Sequence, residues 1–272
     1  MGRENSEPRL LCQTRTTRNL ASLLYLQLKE RLVYCHLNLR RRDTAKTIAV
    51  PPHPLNSALV RGDEIVQAAS VLAKLKLGYR YDHPAKVWDG YRFFSFIMTY
   101  LTPSARILDM GSGPRANVLC WLQLCGYRDL WATDVIFKKP SRRGFIHYSG
   151  EDMRNTGFDD RSFECVICQS AIEHGNDPKD FLREVTRILK PNGYLLLSAD
   201  YWPDKIHTGG LVMYGVPWTI FSKSEILDLV AEAVRNELEL IEPISLSVGH
   251  PIISTLGKEY TFIFLSFRKK CL

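Results

Sequence analysis

The stretch Arg106-Ile107-Leu108-Asp109-Met110-Gly111-Ser112-Gly113-Pro114 decides the fold. An apolar strand, Ala105–Asp109, runs into a Gly-x-Gly turn, and the turn feeds a helix over Ala116–Cys125. Glycine at 111 and 113 lets the backbone turn sharply and approach a ligand, because no Cβ stands in the way. Downstream, short continuous apolar runs recur at Leu130–Asp134, Gly144–Tyr148, Phe163–Gln169 and Tyr194–Ala199, with a helix over Asp177–Leu189 between the last two. Continuous runs, instead of in/out alternation, are expected of strands covered on both faces. Strand–helix alternation with right-handed crossovers predicts an α/β fold with a doubly wound, mostly parallel sheet. A further helix, Ser222–Asn236, leads to Leu238–Leu246 and to the β-rich run Tyr260–Arg268.

The acidic residue that ends the next strand, Asp134, follows Gly113 by 21 positions. A carboxylate there can accept both hydroxyl protons of an unphosphorylated ribose. The pair of features predicts a nucleoside site at the carboxyl edge of the sheet. Ala116 stands three positions after Gly113, as some dinucleotide sites allow, so spacing alone leaves NAD open. Charge discriminates better. Asp109 adds a second carboxylate beside the loop, where it repels a pyrophosphate and suits a cationic aminoacyl group. S-Adenosylmethionine (SAM) carries both an ammonium and a sulfonium, and the charge logic favours it.

These residues resemble the motifs of the class I SAM-dependent methyltransferases. Arg106–Pro114 (RILDMGSGP, with its Gly-Ser-Gly-Pro loop) is similar to the first motif and Trp131–Val135 (WATDV) to the second. Glu151–His174 (EDMRNTGFDDRSFECVICQSAIEH) resembles the adenine segment and fourth strand, and Asp177–Trp202 the helix and fifth strand that follow. Arg115 departs from the pattern, since many members carry a third glycine there. The resemblance covers residues 85–272 and implies a seven-stranded Rossmann-like sheet with SAM as cofactor and S-adenosylhomocysteine as product. It implies that Asp109 acts near the methionine ammonium, with Gly111, Ser112 and Gly113 forming the loop. Asp134 would bind the ribose, Val135 would pack on adenine, Asp152 and Met153 would meet the adenine ring, and Gln169 and Ser170 would line the methionine end.

Methyl transfer from a sulfonium is an in-line displacement, so alignment and exclusion of water supply most of the catalysis, up to ~7–11 kcal/mol. A general base is needed only for a protonated nucleophile. The candidates are His174, Glu173 and His207. Acceptor contacts are expected from Tyr201 and Trp202 after the fifth strand, from Trp218 in the glycine-rich insert Lys205–Ile220, and from Tyr79, Tyr81, Trp88 and Tyr91 ahead of the sheet. Phe93, Phe94 and Phe96 read as packing between helix and sheet. No paired Asp-Asn follows the fifth strand to hold a divalent ion, so no metal is expected.

Composition bounds the rest. With 272 residues, 45% hydrophobic and 24% charged, the chain falls among ordinary globular proteins and outside disordered or disulfide-scaffold classes. No apolar run approaches the ~20 residues of a membrane span, and Met1–Arg18 lacks the apolar core of a signal peptide, so a cytoplasmic protein is expected. Residues 1–88 hold 15 Lys and Arg against 7 Asp and Glu, whereas residues 89–272 hold 21 against 22. The excess positive charge therefore belongs to a basic N-terminal arm, residues 1–84, with a leucine-rich amphipathic helix over Arg18–Arg40. A catalytic domain is expected over residues 85–272. No nucleic-acid motif accompanies the arm, so a small-molecule acceptor, methylated on nitrogen or oxygen in a specialised-metabolite or glycan pathway, is favoured over RNA or protein. A SAM-binding subunit without turnover is the non-enzymatic alternative. Cys165 and Cys168 form a C-x-x-C on a strand, where alternation points the two thiols to opposite faces and away from shared duty.

Overall fold

The computed structural model describes residues 41–79, 81, 83–175 and 178–271, all within one compact unit, Asn38–Leu272. At its centre is β2 (Arg106–Met110), the strand that carries the glycine turn. It pairs in parallel with β3 (Asp129–Thr133) on one side and β6 (Phe163–Gln169) on the other. The parallel core extends to β5 (Ile146–Ser149) beyond β3 and to β7 (Leu189–Tyr201) beyond β6. These five strands correspond to the apolar runs of the sequence; the central β2 and β6 are buried on both faces and lack alternation, whereas the outer β5 alternates buried and half-buried residues. The last long strand, β13 (Lys258–Lys269), inserts antiparallel beside β7 over eight residue pairs.

Among the described residues the sheet has eleven strands where seven were expected. The additions are short antiparallel pieces at the rims, among them β4 (Ser141–Arg143) on β5 and both β10 (Leu238–Leu240) and β12 (Ile253–Thr255) on β13. β1 (Asn56–Ala58) lies between β13 and β11 (Ile244–Ser245). The stretch Leu238–Leu246, read as one element, is thus two strands. The boundary expected at 84/85 falls inside the compact unit, because β1 pairs with β13 and α1 (Asp63–Lys74) packs on the next helix. The basic helix expected over Arg18–Arg40 lies outside the described residues.

Helices cover both faces. On one, α2 (Lys86–Tyr100) and α3 (Asn117–Leu124) share a core with β2, β3 and β5; on the other lie α4 (Pro178–Ile188) and α5 (Lys223–Arg235). α2 is buried all round from Val87 to Met98. Its rings pack as expected: Phe93 meets Phe264 edge-on at 5.0 Å, Phe94 meets Trp121 at 6.0 Å, and Phe96 meets Tyr194 at 5.3 Å. Cys165 belongs to the core of the first face and Cys168 to that of the second, so alternation does separate the thiols. α1 starts at Asp63 after the N-cap Gly62, and Glu64 Oε1 accepts from the Val60 and Arg61 amides. Ser222 caps α5 in a reciprocal capping box with Glu225. No described helix is long and apolar enough to cross a membrane.

Candidate functional site

The order β3–β2–β6 reverses the direction of winding at β2, and in open α/β sheets that switch point opens a crevice at the carboxyl ends of the strands. A cavity of about 610 Å³ occupies it. The loop after β2 forms one wall. Backbone amides of Gly111 and Ser112 donate to the Thr133 carbonyl at 2.8 and 3.1 Å, which ties the loop to the tip of β3. The chain then passes through three left-handed residues, Gly111 (φ +74°), Gly113 (φ +59°) and Ala116 (φ +41°). A Cβ on Gly111 would stand 2.5 Å from that of Ala171, so this glycine is fixed by packing as well as by φ. A Cβ on Gly113 would meet no protein atom within 4 Å, so its side of the loop is open to a ligand. Ala116 takes the left-handed position at the head of α3, directly after the departure noted at Arg115.

Asp134 lies where β3 ends. Its Oδ2 accepts from the Gly113 amide at 3.0 Å and its Oδ1 from the Ile136 amide at 3.1 Å. A carboxylate offers about four acceptor positions, so two remain for a ligand. Val135 and Ile136 follow, 73% and 56% exposed, and give the mouth an apolar lip. Asp109 lies beneath the loop and does not line the cavity. It is 2% exposed, and its Oδ1 has no hydrogen-bond partner among the described residues. Burial, reinforced by Asp134, pushes its carboxyl well above the usual range. A positive group close by would relieve that cost.

Met153 and Asp152 line the same end. Asp152 is clamped by Arg154, whose guanidinium reaches Oδ2 at 2.6 Å and Oδ1 at 3.0 Å, and the ion pair holds its carboxyl below the ordinary value. Gln169 and Ser170 also line the cavity, yet both are turned toward α2. The Gln169 amide donates to Asp89 Oδ1 at 2.8 Å, and the Ser170 hydroxyl donates to Asp89 Oδ2 at 3.2 Å. Ser198 Oγ and the Gly90 amide complete the set around Asp89, each at 2.8 Å. Asp89 was not singled out in the sequence; it is a buried pin that locks α2 to the tips of β6 and β7.

Beyond Ser170 the cavity deepens into a second chamber. Glu173, 1% exposed, and Asp200, 4% exposed, face it from the loop after β6 and the end of β7. Both Glu173 oxygens and Asp200 Oδ1 lack a well-formed hydrogen bond among the described residues, though the Tyr260 hydroxyl lies near enough to lower the Asp200 carboxyl, while Asp200 Oδ2 accepts from Trp218 Nε1 at 2.7 Å. Burial raises both carboxyls, Glu173 most strongly; Asp200 raises Glu173 further, and Asp89 raises both. Lys86 enters from the start of α2, its ammonium 4.2 Å from the centre of the Phe262 ring. The surrounding carboxylates of Asp200, Asp89 and Glu173 outweigh the desolvation and hold the lysine above its ordinary value. His174 stands beside Glu173 with its ring edge-on to Tyr214 at 5.1 Å, and burial lowers it to about 4.

The insert after β7 roofs this chamber. Its hairpin, β8 (Val212–Met213) and β9 (Val216–Pro217), turns through Tyr214 and Gly215, both at positive φ as a two-residue hairpin requires. Met213, Tyr214 and Val216 contribute to the wall, with Tyr260 and Phe262 of β13.

Several expected residues are elsewhere. His207 is exposed and does not line the cavity. Trp88 donates to Glu64, Tyr91 to the Val50 carbonyl and Tyr201 to the Leu246 carbonyl, so their polar ends anchor neighbouring elements. Trp218 supports Asp200 from behind, Trp202 packs on the core, and Tyr79 lies against Tyr81 and Trp121, 40% exposed. Of the aromatic candidates, Tyr81 lines the cavity. Aromatic residues between helix and sheet mostly pack, and sequence proximity to a strand end did not distinguish the two fates. Lys86 and Asp200 could have been found: each is a charged residue flanked by apolar ones, where a solvated charge is not expected.

The Gly111–Gly113 loop, the acceptor positions on Asp134, the apolar lip and the unpartnered Asp109 oxygen together fit a cationic nucleoside. The comparisons agree. Residues 108–197 match the family model described as "Methyltransferase domain". That stretch is a methyltransferase domain of the SAM-dependent type. Its cofactor is therefore S-adenosylmethionine. Over 142 residues the chain is 27% identical to a malonyl-[acyl-carrier protein] O-methyltransferase of Marinomonas sp. (strain MWYL1), covering 46% of this chain and 52% of that protein. It is 26% identical over 106 residues to the uncharacterized methyltransferase YcgJ of Bacillus subtilis (strain 168), covering 36% and 42%. The chain thus spans about half the length of the curated relatives it matches. Among solved structures, a SAM-dependent methyltransferase from Methanosarcina mazei matches with TM-score 0.50 and 17% identity, covering 65% of this chain and 98% of that one. The [4+2]-cyclase SpnF matches with TM-score 0.50 and 14% identity, covering 76% and 93%. These likenesses establish the Rossmann-like methyltransferase fold; a cyclase among them shows that function must be argued from the site.

Proposed function

We propose that this methyltransferase transfers the methyl group of SAM to a nitrogen or oxygen of a small organic molecule held in the chamber of Glu173, Asp200 and Lys86. The observation that carries this reading is that one cavity joins the glycine loop to a set of buried, unpartnered carboxylate oxygens under a hairpin roof. A cavity of about 610 Å³ is within the range of small-molecule sites.

Gly111, Ser112 and Gly113 would hold the aminoacyl end by backbone approach, with the Asp109 charge beneath. Asp134 would accept the ribose hydroxyls, and Val135, Ile136 and Met153 would sandwich the base. Bound there, the cofactor supplies an activated methyl carbon on a sulfonium. Asp89 acts at a distance as a positioning residue, because it fixes Gln169 and Ser170 at the junction of the two chambers. Glu173 is the better proton acceptor. Burial and Asp200 hold its carboxyl well above the usual range, which makes it the stronger base, whereas His174 at about 4 is a weak base and stays neutral at physiological pH. The chamber excludes water once Tyr214 and the hairpin lie over the ligand.

The test is transfer from methyl-labelled SAM to a panel of small amines, phenols and alcohols, run beside bulk RNA and protein. Label in the small-molecule fraction, with activity flat across moderate salt, supports the reading; transfer to RNA with steep salt dependence would replace it.

A further inference from the structure

Resting on that reading, we propose that the acceptor is an amine, bound as its ammonium between Glu173 and Asp200 and deprotonated by Glu173 for attack. Once ionised, Glu173 Oε1, Glu173 Oε2 and Asp200 Oδ1 only accept hydrogen bonds, so the partner they lack among the described residues is a donor. An ammonium brings three N–H groups to these three oxygens, while a hydroxyl brings one. Charge points the same way. At this end Lys86 faces the carboxyl groups of Asp89, Glu173 and Asp200. Asp89 is already filled by Gln169, Ser170, Ser198 and Gly90, and Lys86 offsets a single further charge. Burial keeps His83 and His174 on the neutral side, so neither balances the remainder. An anionic acceptor would add to the excess; a cationic one removes it. The walls of Tyr214, Val216, Tyr260 and Phe262 ask for an apolar body attached to that amine.

In the step itself, the ammonium gives one proton to Glu173. The freed nitrogen lone pair forms the N–C bond to the methyl carbon as the C–S bond breaks, and the bonding pair stays on sulfur, leaving a neutral thioether. The methylated nitrogen departs as an ammonium, and Glu173 returns its proton to solvent. The groups facing Glu173 are Lys86 and Asp89 from α2, Asp200 from β7, Cys168 from β6 and Tyr260 from β13. In the empty chamber they and burial favour the protonated acid, so binding an ammonium must expel that proton.

The experiment is calorimetry on the full chain. S-Adenosylhomocysteine is titrated first, and the loaded protein then receives 2-phenylethylammonium, its isostere 2-phenylethanol, or 3-phenylpropanoate. The ammonium is expected to bind at least tenfold tighter than the alcohol, with no heat from the carboxylate. Glu173→Gln and Asp200→Asn should each lose at least tenfold for the ammonium. In two buffers of different ionisation enthalpy, the wild type should release a proton on binding and Glu173→Gln should not. Equal or tighter binding of the alcohol or carboxylate, absence of ammonium binding, or wild-type affinity in both variants overturns the proposal. Failure of the first titration overturns the donor-site reading instead, so the two are separable.

Discussion

Replacing Gly111 by alanine tests the loop by its mechanics. The residue sits at φ +74°, where an L side chain costs about 1–2 kcal/mol. The new Cβ would also stand 2.5 Å from the Ala171 Cβ and 3.2 Å from Met153 Cε. Met153 ends in a flexible methyl and can move. The Ala171 Cβ is fixed to backbone and cannot, so overpacking adds about 1–3 kcal/mol. Gly111→Ala should therefore destabilise by roughly 3 kcal/mol, lowering the melting temperature by about 6–12 °C at 2–4 °C per kcal/mol. The clash and the φ cost separate in a double-mutant cycle. Ala171→Gly alone costs about 0.5–1 kcal/mol, yet in the Gly111→Ala background it removes the atom that is struck. The double variant should recover the 1–3 kcal/mol of overpacking and keep the φ cost. Urea unfolding followed by circular dichroism reads all four proteins. Strictly additive effects, or a Gly111→Ala variant as stable as the wild type, would refute the placement of this loop against the tip of β6.

Gly113→Ala meets no protein atom, so its stability loss should stop at about 1–2 kcal/mol while S-adenosylhomocysteine affinity falls by tenfold or more; equal losses in calorimetry would place the cofactor elsewhere. Asp134→Ala orphans the Gly113 amide as well as removing the acceptor, and should weaken donor binding by about 1–3 kcal/mol, read by equilibrium dialysis. Because His174 is depressed to about 4, the folded state resists its protonation, and stability should fall by up to roughly 3 kcal/mol from pH 6.5 to pH 4. In His174→Gln that part of the slope should vanish from a pH series of urea melts. Glu173 shifts the opposite way: its raised carboxyl favours the fold at low pH and costs stability as pH rises through its folded value. Glu173→Gln should thus be more stable than the wild type at pH 8, with the gain gone near pH 4.

The cofactor half of the site was legible because its constraints are local. A strand, two glycines and an acid at the next strand tip are set by backbone conformation within 30 residues, and Gly111, Gly113 and Asp134 converge as that logic requires. The acceptor half was not, because it is assembled from distant segments. Lys86, Glu173, Asp200 and Phe262 come from α2, the loop after β6, β7 and β13, and nothing in the spacing of those residues announces that they share a chamber. Aromatic residues misled for a related reason. Trp88, Tyr91 and Tyr201 are amphipathic, and each spent its polar end on an anchoring bond inside the fold. The short strands were also hidden: β1 is three residues long, and pairing with β13, two hundred residues away, is what makes it a strand.

The chamber is a poor arrangement for stability, and that is the argument for its use. Burying three carboxyl groups near one lysine raises the carboxyl protonation equilibria and leaves acceptor oxygens unmatched, a state that folding alone would not favour. Asp89 shows what the same fold does with a carboxylate whose role is structural: four donors surround it. Glu173 lies at the same depth, and no described donor meets its side chain. Two buried carboxylates treated so differently, Asp89 behind the cavity wall and Glu173 on it, imply different occupations, one closed within the protein and one reserved for a ligand. If that contrast is functional, Asp89→Asn should lower stability while Glu173→Gln raises it at neutral pH. The opposite pattern would mean that Glu173 is simply a badly paired core residue.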